Sequence, residues 1–282
     1  MSIPSVTVIG AGIAGLTAAY RLKQNGFSVK VLEALPSSGG RMTQLEEQGL
    51  KYNSGARLCY SFYSEIQKLI ADLGIQNSIV KHGKMNIRCQ TDLEQYSLPL
   101  NPNLDLLTNP VLSWSEKLAL IRLLPDLIGA RRRINPGWMM TAENFDEQTL
   151  EEYILEKVGP VFLEKFIEPV FRGTRSWNPE KISTAFFLST APFMMPGSFT
   201  FGFKNGIGQL TAELAKHLDI DYLAEVEIVE RDSENNNCII RYTVDGKPTE
   251  LMPNIVVCAV EGGNVSHLVS EPVSEEVLFS MQ

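Results

Sequence analysis

Six residues near the start of the chain, Gly10-Ala11-Gly12-Ile13-Ala14-Gly15, have Gly-x-Gly-x-x-Gly spacing, and an acid, Glu33, follows eighteen residues after the last glycine. The spacing suits a dinucleotide diphosphate. Gly10 makes a tight turn, Gly12 lets a pyrophosphate approach main-chain amides at a helix N-terminus, and Gly15 lets that helix pack closely on a strand. The helix dipole favours the anion. Glu33 stands where a carboxylate accepts hydrogen bonds from an adenosine ribose, and its charge opposes a 2′-phosphate.

Such a turn binds a nucleotide only if a strand delivers it and a helix receives it. Ser5–Ile9 is a short β-branched run, residues 16–25 repeat apolar side chains at helical spacing, and Gly26 supplies a left-handed stop. Ser28–Leu32 repeats the strand pattern and ends at Glu33. The whole is a βαβ unit with a glycine-rich first turn. A nucleotide-free βαβ turn is the alternative, and the completeness of the surrounding motif weighs against it.

Beyond Glu33 come Ala34, a Pro/Ser turn, and then Gly39, Gly40 and Arg41. Two small residues let the main chain pass close to a diphosphate, while a guanidinium offers forked donors. With GAGIAG, the acid and GGR in order, the sequence resembles the superfamily of flavin-containing amine oxidases, protoporphyrinogen oxidases and phytoene desaturases. The resemblance implies an α/β fold, a Rossmann-like FAD-binding domain of the glutathione-reductase type with an inserted, mainly helical substrate domain. It implies FAD as the cofactor, with Gly10, Ala11, Gly12, Ala14, Gly15, Gly39, Gly40 and Arg41 around the diphosphate and Glu33-Ala34 at the ribose. GGR and the insert also disfavour a nicotinamide dehydrogenase.

Residues 48–58 read QGLKYNSGARL, a short strand and a glycine turn, and resemble the family segment that passes the flavin ring. That likeness assigns Gly55, Ala56, Arg57 and Leu58 to the cofactor's redox end; Arg57 reads equally well as a solvated loop arginine. Residues 204–218 resemble the family's glycine turn and helix returning to the FAD domain, and Val226 in EVEIVER falls where a valine backbone meets the adenine. The implied boundaries are 1–82 with 203–282 for the FAD domain and 83–202 for the substrate domain. The last strand, NIVVCAV, resembles the family's buried strand leading to the isoalloxazine.

Inside the insert the grammar changes. Residues 84–90 and 94–98 form an expected hairpin around a Thr-Asp turn, and helical segments follow to about residue 190. Ser113 with Glu116 and Thr149 with Glu152 have capping-box spacing. Residues 117–133 combine Leu118, Ile121, Leu124, Leu127 and Ile128 with Lys117, Arg122, Arg131, Arg132 and Arg133. Two readings fit: a peripheral membrane contact, or, favoured because Pro125 interrupts the stripe, a solvated basic end on a buried helix. Phe186, Phe187, Phe193, Met194, Met195, Phe199, Phe201 and Phe203 either line an apolar substrate pocket or are core. His217 reads as a cap on the last turn of its helix.

The 282 residues carry 25 Lys and Arg against 33 Asp and Glu, a formal charge of −8, with 44% hydrophobic and 21% charged residues. This balance excludes a disordered or fibrous chain and argues against nucleic acid as a partner. Cys59, Cys89, Cys238 and Cys258 are far apart and make no zinc spacing with His82, His217 or His267, so no metal site and a reducing, cytoplasmic setting are expected. The longest aliphatic run, residues 255–260, is far short of the ~20 needed to span a bilayer. No Lys or Arg precedes the apolar stretch 6–19, which therefore reads as folded structure rather than a signal peptide.

The resemblance also implies a later Gly-Asp turn and helix at the flavin, and an active-site lysine and aromatic pair, none of which appears up to Gln282. No catalytic residue is therefore assigned. The expectation is an FAD-dependent oxidoreductase moving a hydride from a C–N or C–C bond of a largely apolar substrate to flavin, with an oligomer or second subunit completing the FAD site. The alternative is a truncated, non-catalytic FAD- or ADP-binding paralogue, or one subunit of a split flavoenzyme.

Overall fold

Three β-branched runs lie side by side at the centre of the nucleotide region. β1 (Ser5–Ile9) pairs in parallel with β2 (Ser28–Leu32) on one side and with Ile255–Cys258 on the other, while Asp219–Asp221 extends the sheet beyond β2. Val6 and Val8 are buried, as the near-continuous apolar runs of a parallel sheet require. The helix α1 (Ile13–Gln24) crosses from β1 to β2 and buries Leu16 and Ala19. Full burial of a leucine contributes roughly 1.5–3 kcal/mol. The Asn25 side chain donates to the Arg21 carbonyl at 2.8 Å, and Gly26 follows with φ +86°, so the helix stops where the sequence signals it. β1 has a parallel neighbour on each side, β2 reached through α1 and Ile255–Cys258 entered from Lys247–Leu251, so the carboxyl ends of these strands bracket a crevice of the kind in which α/β sheets bind ligands.

The computed structural model describes residues 3–90, 94–99, 108–194, 197–232 and 237–269. The chain forms two units, Met1–Leu58 with Asp72–Ile79 and Gly202–Gln282, and Cys59–Ala71 with Val80–Phe201. The first unit adds to its parallel sheet an antiparallel sheet of Ala224–Asp232, Asn237–Val244 and Lys247–Leu251. Ile9, Leu32, Ala224, Val229, Ile240 and Tyr242 share one core cluster, which fixes the antiparallel sheet near the ends of β1 and β2.

In the second unit Asn86–Gln90 pairs with Gln95–Pro99; the expected Thr-Asp turn between them lies outside the described residues. Helices Trp114–Ala119, Leu124–Arg133, Leu150–Lys157 and Glu168–Arg175 follow. Both capping boxes form, with Ser113 and Thr149 each accepting from the amide three residues on and Glu116 and Glu152 reaching back. Residues 59–71, expected with the nucleotide region, belong to this unit. Cys59 and Tyr60 pair with Phe201 and Thr200, and Tyr60 stacks on Phe62. Burial pushes the Cys59 thiol up to about 11.

Only some of the apolar residues of 117–133 turn inward as a buried helix requires. A 3-10 turn, Leu120–Leu123, links the two helices ahead of Pro125. Leu120, Leu123 and Leu127 pack on the core, while Leu118, Ile121, Leu124 and Ile128 are exposed. The aromatic stretch divides in a similar way: Phe201 is fully buried, Phe186 is exposed, and Met195 lies outside the described residues. Among the described residues no helix is long and apolar enough to cross a membrane, and no cluster of His, Cys, Asp and Glu is placed to hold a metal ion.

Candidate cofactor-binding cleft

The GAGIAG turn is shaped by what surrounds each glycine. Gly10 has φ +101°, and a Cβ there would lie 2.8 Å from the Ala259 carbonyl oxygen. A Cβ on Gly15 would lie 1.9 Å from the Gly10 carbonyl oxygen, so only glycine lets α1 fold back onto the turn. At Gly12 a Cβ would meet nothing within 4 Å. That open space lies over the first turn of α1, which has neither a side-chain cap nor an acidic residue. An anion there would meet an unopposed helix dipole.

Two further segments are tied to this turn. Glu33 is buried; its Oε2 accepts the Ala11 amide at 2.6 Å and its Oε1 the Leu35 amide at 2.9 Å. The Gly39 amide donates to the Ala11 carbonyl at 2.8 Å, and a Cβ on Gly40 would sit 3.4 Å from the Gly12 Cα. The GGR turn therefore lies against the GAGIAG turn, and Gly39 holds a φ of +122° that a side chain would strain. Ala11 is fully buried with both main-chain groups engaged, so it joins the three segments. Arg41 reaches outward, 87% exposed, with Nη1 4.0 Å from Glu261 Oε1.

These segments enclose a cleft of about 810 Å³, within the range of small-molecule sites. Gly10, Gly12, Ala14, Glu33, Ala34, Gly39, Gly40, Arg41 and Val226 all line it. Gly15 is buried beneath the turn, and Gly55 and Ala56 stand one layer back, with the Ala56 amide donating to the Arg41 carbonyl at 2.8 Å. Arg57 and Leu58 are not among the lining residues. His217 does not cap its helix through its ring, which packs edge-on against Tyr20 at 5.5 Å; its carbonyl accepts from Lys23.

The opposite wall comprises Cys258, Ala259, Val260, Glu261, Asn264 and His267. Glu261 and His267 are additions that spacing alone does not reveal. The available signal is the acid and the Gly-Gly pair that follow the strand Ile255–Cys258 and open the helix Gly262–Leu268. Burial raises the Cys258 thiol above its ordinary value, and Cys238 adds to the shift.

The family model described as flavin containing amine oxidoreductase matches residues 13–280. The chain belongs to that family. Its relatives include protoporphyrinogen oxidase 2 of Arabidopsis thaliana, 28% identical over 182 residues, 63% of this chain and 34% of the relative. The 15-cis-phytoene desaturase of the same plant is 28% identical over 167 residues, 54% and 30%. Among solved structures, putrescine oxidase bound to putrescine superposes with a TM-score of 0.74 at 17% identity, covering 98% of this chain and 62% of that one. An oxidoreductase from Methanosarcina mazei gives 0.67 at 20% identity, covering 98% and 64%. The chain thus spans about a third of the length of these curated relatives. The expected superfamily, its oxidoreductase class and its flavin cofactor agree with these findings, and the flavin amine oxidase fold is shown at the level of a mixed α/β architecture.

Proposed function

We propose that this chain binds FAD in the cleft, on a fold of the glutathione-reductase type, and serves the oxidation of a C–N or C–C bond in a largely apolar substrate. The observation that carries the reading is the convergence of the GAGIAG turn, Glu33 and the GGR turn on one uncovered helix N-terminus. The residues fit the group: the space over Gly12 is what a Cβ would fill, and the polar groups beside it are amides and a guanidinium, matched to a diphosphate.

In this reading Gly10, Gly12 and Ala14 offer main-chain contact to the diphosphate while Gly15 holds the helix in place, and Arg41 adds a mobile cation. Glu33 spends two lone-pair positions on Ala11 and Leu35, and a carboxylate has about four, so two remain for ribose hydroxyls. Val226 borders the adenine, and Gly55, Ala56, Arg57 and Leu58 stand towards the flavin end. The chemistry that the flavin supplies when bound is acceptance of a hydride from the substrate. The chain's own part is to bind, orient and exclude water. In the second unit, Phe166, Phe171, Phe187 and Met194 line a narrow apolar cleft, which supports an apolar substrate.

The test uses flavin retention. Purified protein mixed with FAD and desalted should keep the visible absorption of bound flavin. Gly12→Ala, whose added methyl meets no protein atom, should keep its melting temperature and lose at least about tenfold in FAD affinity. Wild-type protein that retains no flavin, or a Gly12→Ala variant that binds it equally well, would defeat the reading.

A further inference from the structure

The cleft has an uneven charge balance for a site that receives an anion. Among the described residues its lining carries three carboxylates, Glu33, Glu225 and Glu261, against one arginine, Arg41, with His267 beside them. Glu33 is committed to the Ala11 and Leu35 amides at 2.6 and 2.9 Å, and Glu225 precedes Val226 at the end assigned to the adenine. Glu261 differs from both. It occupies the N-cap position of the helix Gly262–Leu268, where a carboxylate is welcome at the helix's own first amides, yet its side chain makes no cap hydrogen bond. It reaches the GGR turn instead, with Oε1 4.0 Å from Arg41 Nη1.

An ion pair with side chains 87% and 70% exposed contributes little to stability, so its consequence falls on the ligand. Arg41 is the cation assigned to the diphosphate, and a phosphate bound by that guanidinium would meet the Glu261 carboxylate. A carboxylate in this place discriminates by charge. The diphosphate of FAD is esterified at both ends and carries one ionised oxygen on each phosphorus. ADP ends in a free phosphate, which ionises a second time near pH ~6 and brings about one more charge at neutral pH. ATP brings a further one. With a Debye length of about 8 Å at physiological ionic strength, a carboxylate beside the bound phosphates is felt by that additional charge.

We infer that Glu261 is a specificity residue of the cleft, one that favours a dinucleotide, whose diphosphate is closed at both ends, over adenine nucleotides that end in a free phosphate. The inference rests on the cofactor reading above. The turn amides, the helix dipole and Glu33 address the adenosine diphosphate that FAD, ADP and ATP share, so none of them separates the three. Glu261 supplies the separation. It offsets Arg41 in part, so that a diester is still held by the amides and the dipole, while each further ionised oxygen meets a like charge.

Affinities of the full chain for FAD, ADP and ATP are measured by calorimetry at low salt, and again for Glu261→Gln and Glu261→Asp. Glu261 is exposed and caps no amide, so both variants should keep the wild-type melting temperature. Glu261→Gln should gain at least about threefold in affinity for ADP, more for ATP, and less than about twofold for FAD. Glu261→Asp keeps the charge and should keep the wild-type order of affinities. The gain for ADP should shrink at ~1 M salt, where the Debye length falls to about 3 Å. Equal gains for FAD and ADP in Glu261→Gln would overturn the inference and leave Glu261 only a partner of Arg41; no gain for either would overturn it as well. In both cases FAD binding by the wild type keeps the cofactor reading intact, whereas wild-type protein that binds neither FAD nor ADP defeats the two together.

Discussion

In the parallel-sheet unit the candidate site is built largely from main chain, whereas in the helical unit the notable surfaces are built from side chains. Around the cleft, three glycines each answer a distance: to Ala259 at Gly10, to Gly10 at Gly15, and to the open space over Gly12. In the helical unit, Leu150, Ile154, Ile167 and Leu188 are fully buried, while leucines and isoleucines of the same chemistry one helical face away stand in solvent. A site made of main chain restricts residue type at each position; a surface made of aliphatic side chains restricts only their sum. The two units should therefore respond to substitution in different ways.

The sharpest contrast lies within the first unit, between Gly15 and Gly12. Gly15→Ala forces a methyl to within 1.9 Å of a carbonyl oxygen that belongs to the turn itself, and no flexible side chain is there to yield. We expect a loss of about 3 kcal/mol or more, at the upper end of overpacking costs, measured by urea unfolding. Gly12→Ala, by contrast, should affect flavin and spare stability. Equal stability of the two variants would remove the distinction between a packing glycine and a ligand glycine.

The helical unit should show the opposite dependence. Ile154 is fully buried among Leu150, Tyr153 and Phe166, so Ile154→Ala leaves a cavity and should cost about 3 kcal/mol by the same measurement. Ile154→Leu or Ile154→Val should recover most of that loss, because a core tolerates volume-conserving exchange. No comparable rescue exists at Gly15, where any Cβ meets the same oxygen.

This contrast also explains what the sequence reveals. The cleft's near wall is legible because steric demands fix glycine at set intervals within one βαβ unit, and Gly39-Gly40-Arg41 follows within a short stretch. The far wall, with Glu261 and His267, is more than two hundred residues away and reaches the site only because Ile255–Cys258 pairs with β1. Spacing carries no record of that pairing. In 117–133 the difficulty is of another kind: both faces are apolar, so periodicity identifies the helix but not the side that packs, and Leu127 and Ile128, adjacent in sequence, go opposite ways. Residues 59–71 fall within the boundary 1–82 that the resemblance implies, yet they join the helical unit, where Cys59 and Tyr60 pair with Phe201 and Thr200.

Glu33 breaks the comparison, because it is a side chain at the heart of a main-chain site. Its carboxylate receives the Ala11 amide from the glycine turn and the Leu35 amide from the segment after β2, so it positions the turn in addition to facing the cleft. Glu33→Ala leaves the buried Ala11 amide without its acceptor, and we expect a loss of about 2 kcal/mol with weakened FAD retention. Glu33→Gln separates the two roles. The amide oxygen can still accept from Ala11, so most of the stability should return, while an amide nitrogen now faces Leu35 and the charge offered to ribose hydroxyls is gone. FAD affinity should therefore stay low in Glu33→Gln as stability recovers. If affinity and stability instead recover together, Glu33 acts on the cofactor only through the shape of the turn, and the cleft is main-chain in function as well as in construction.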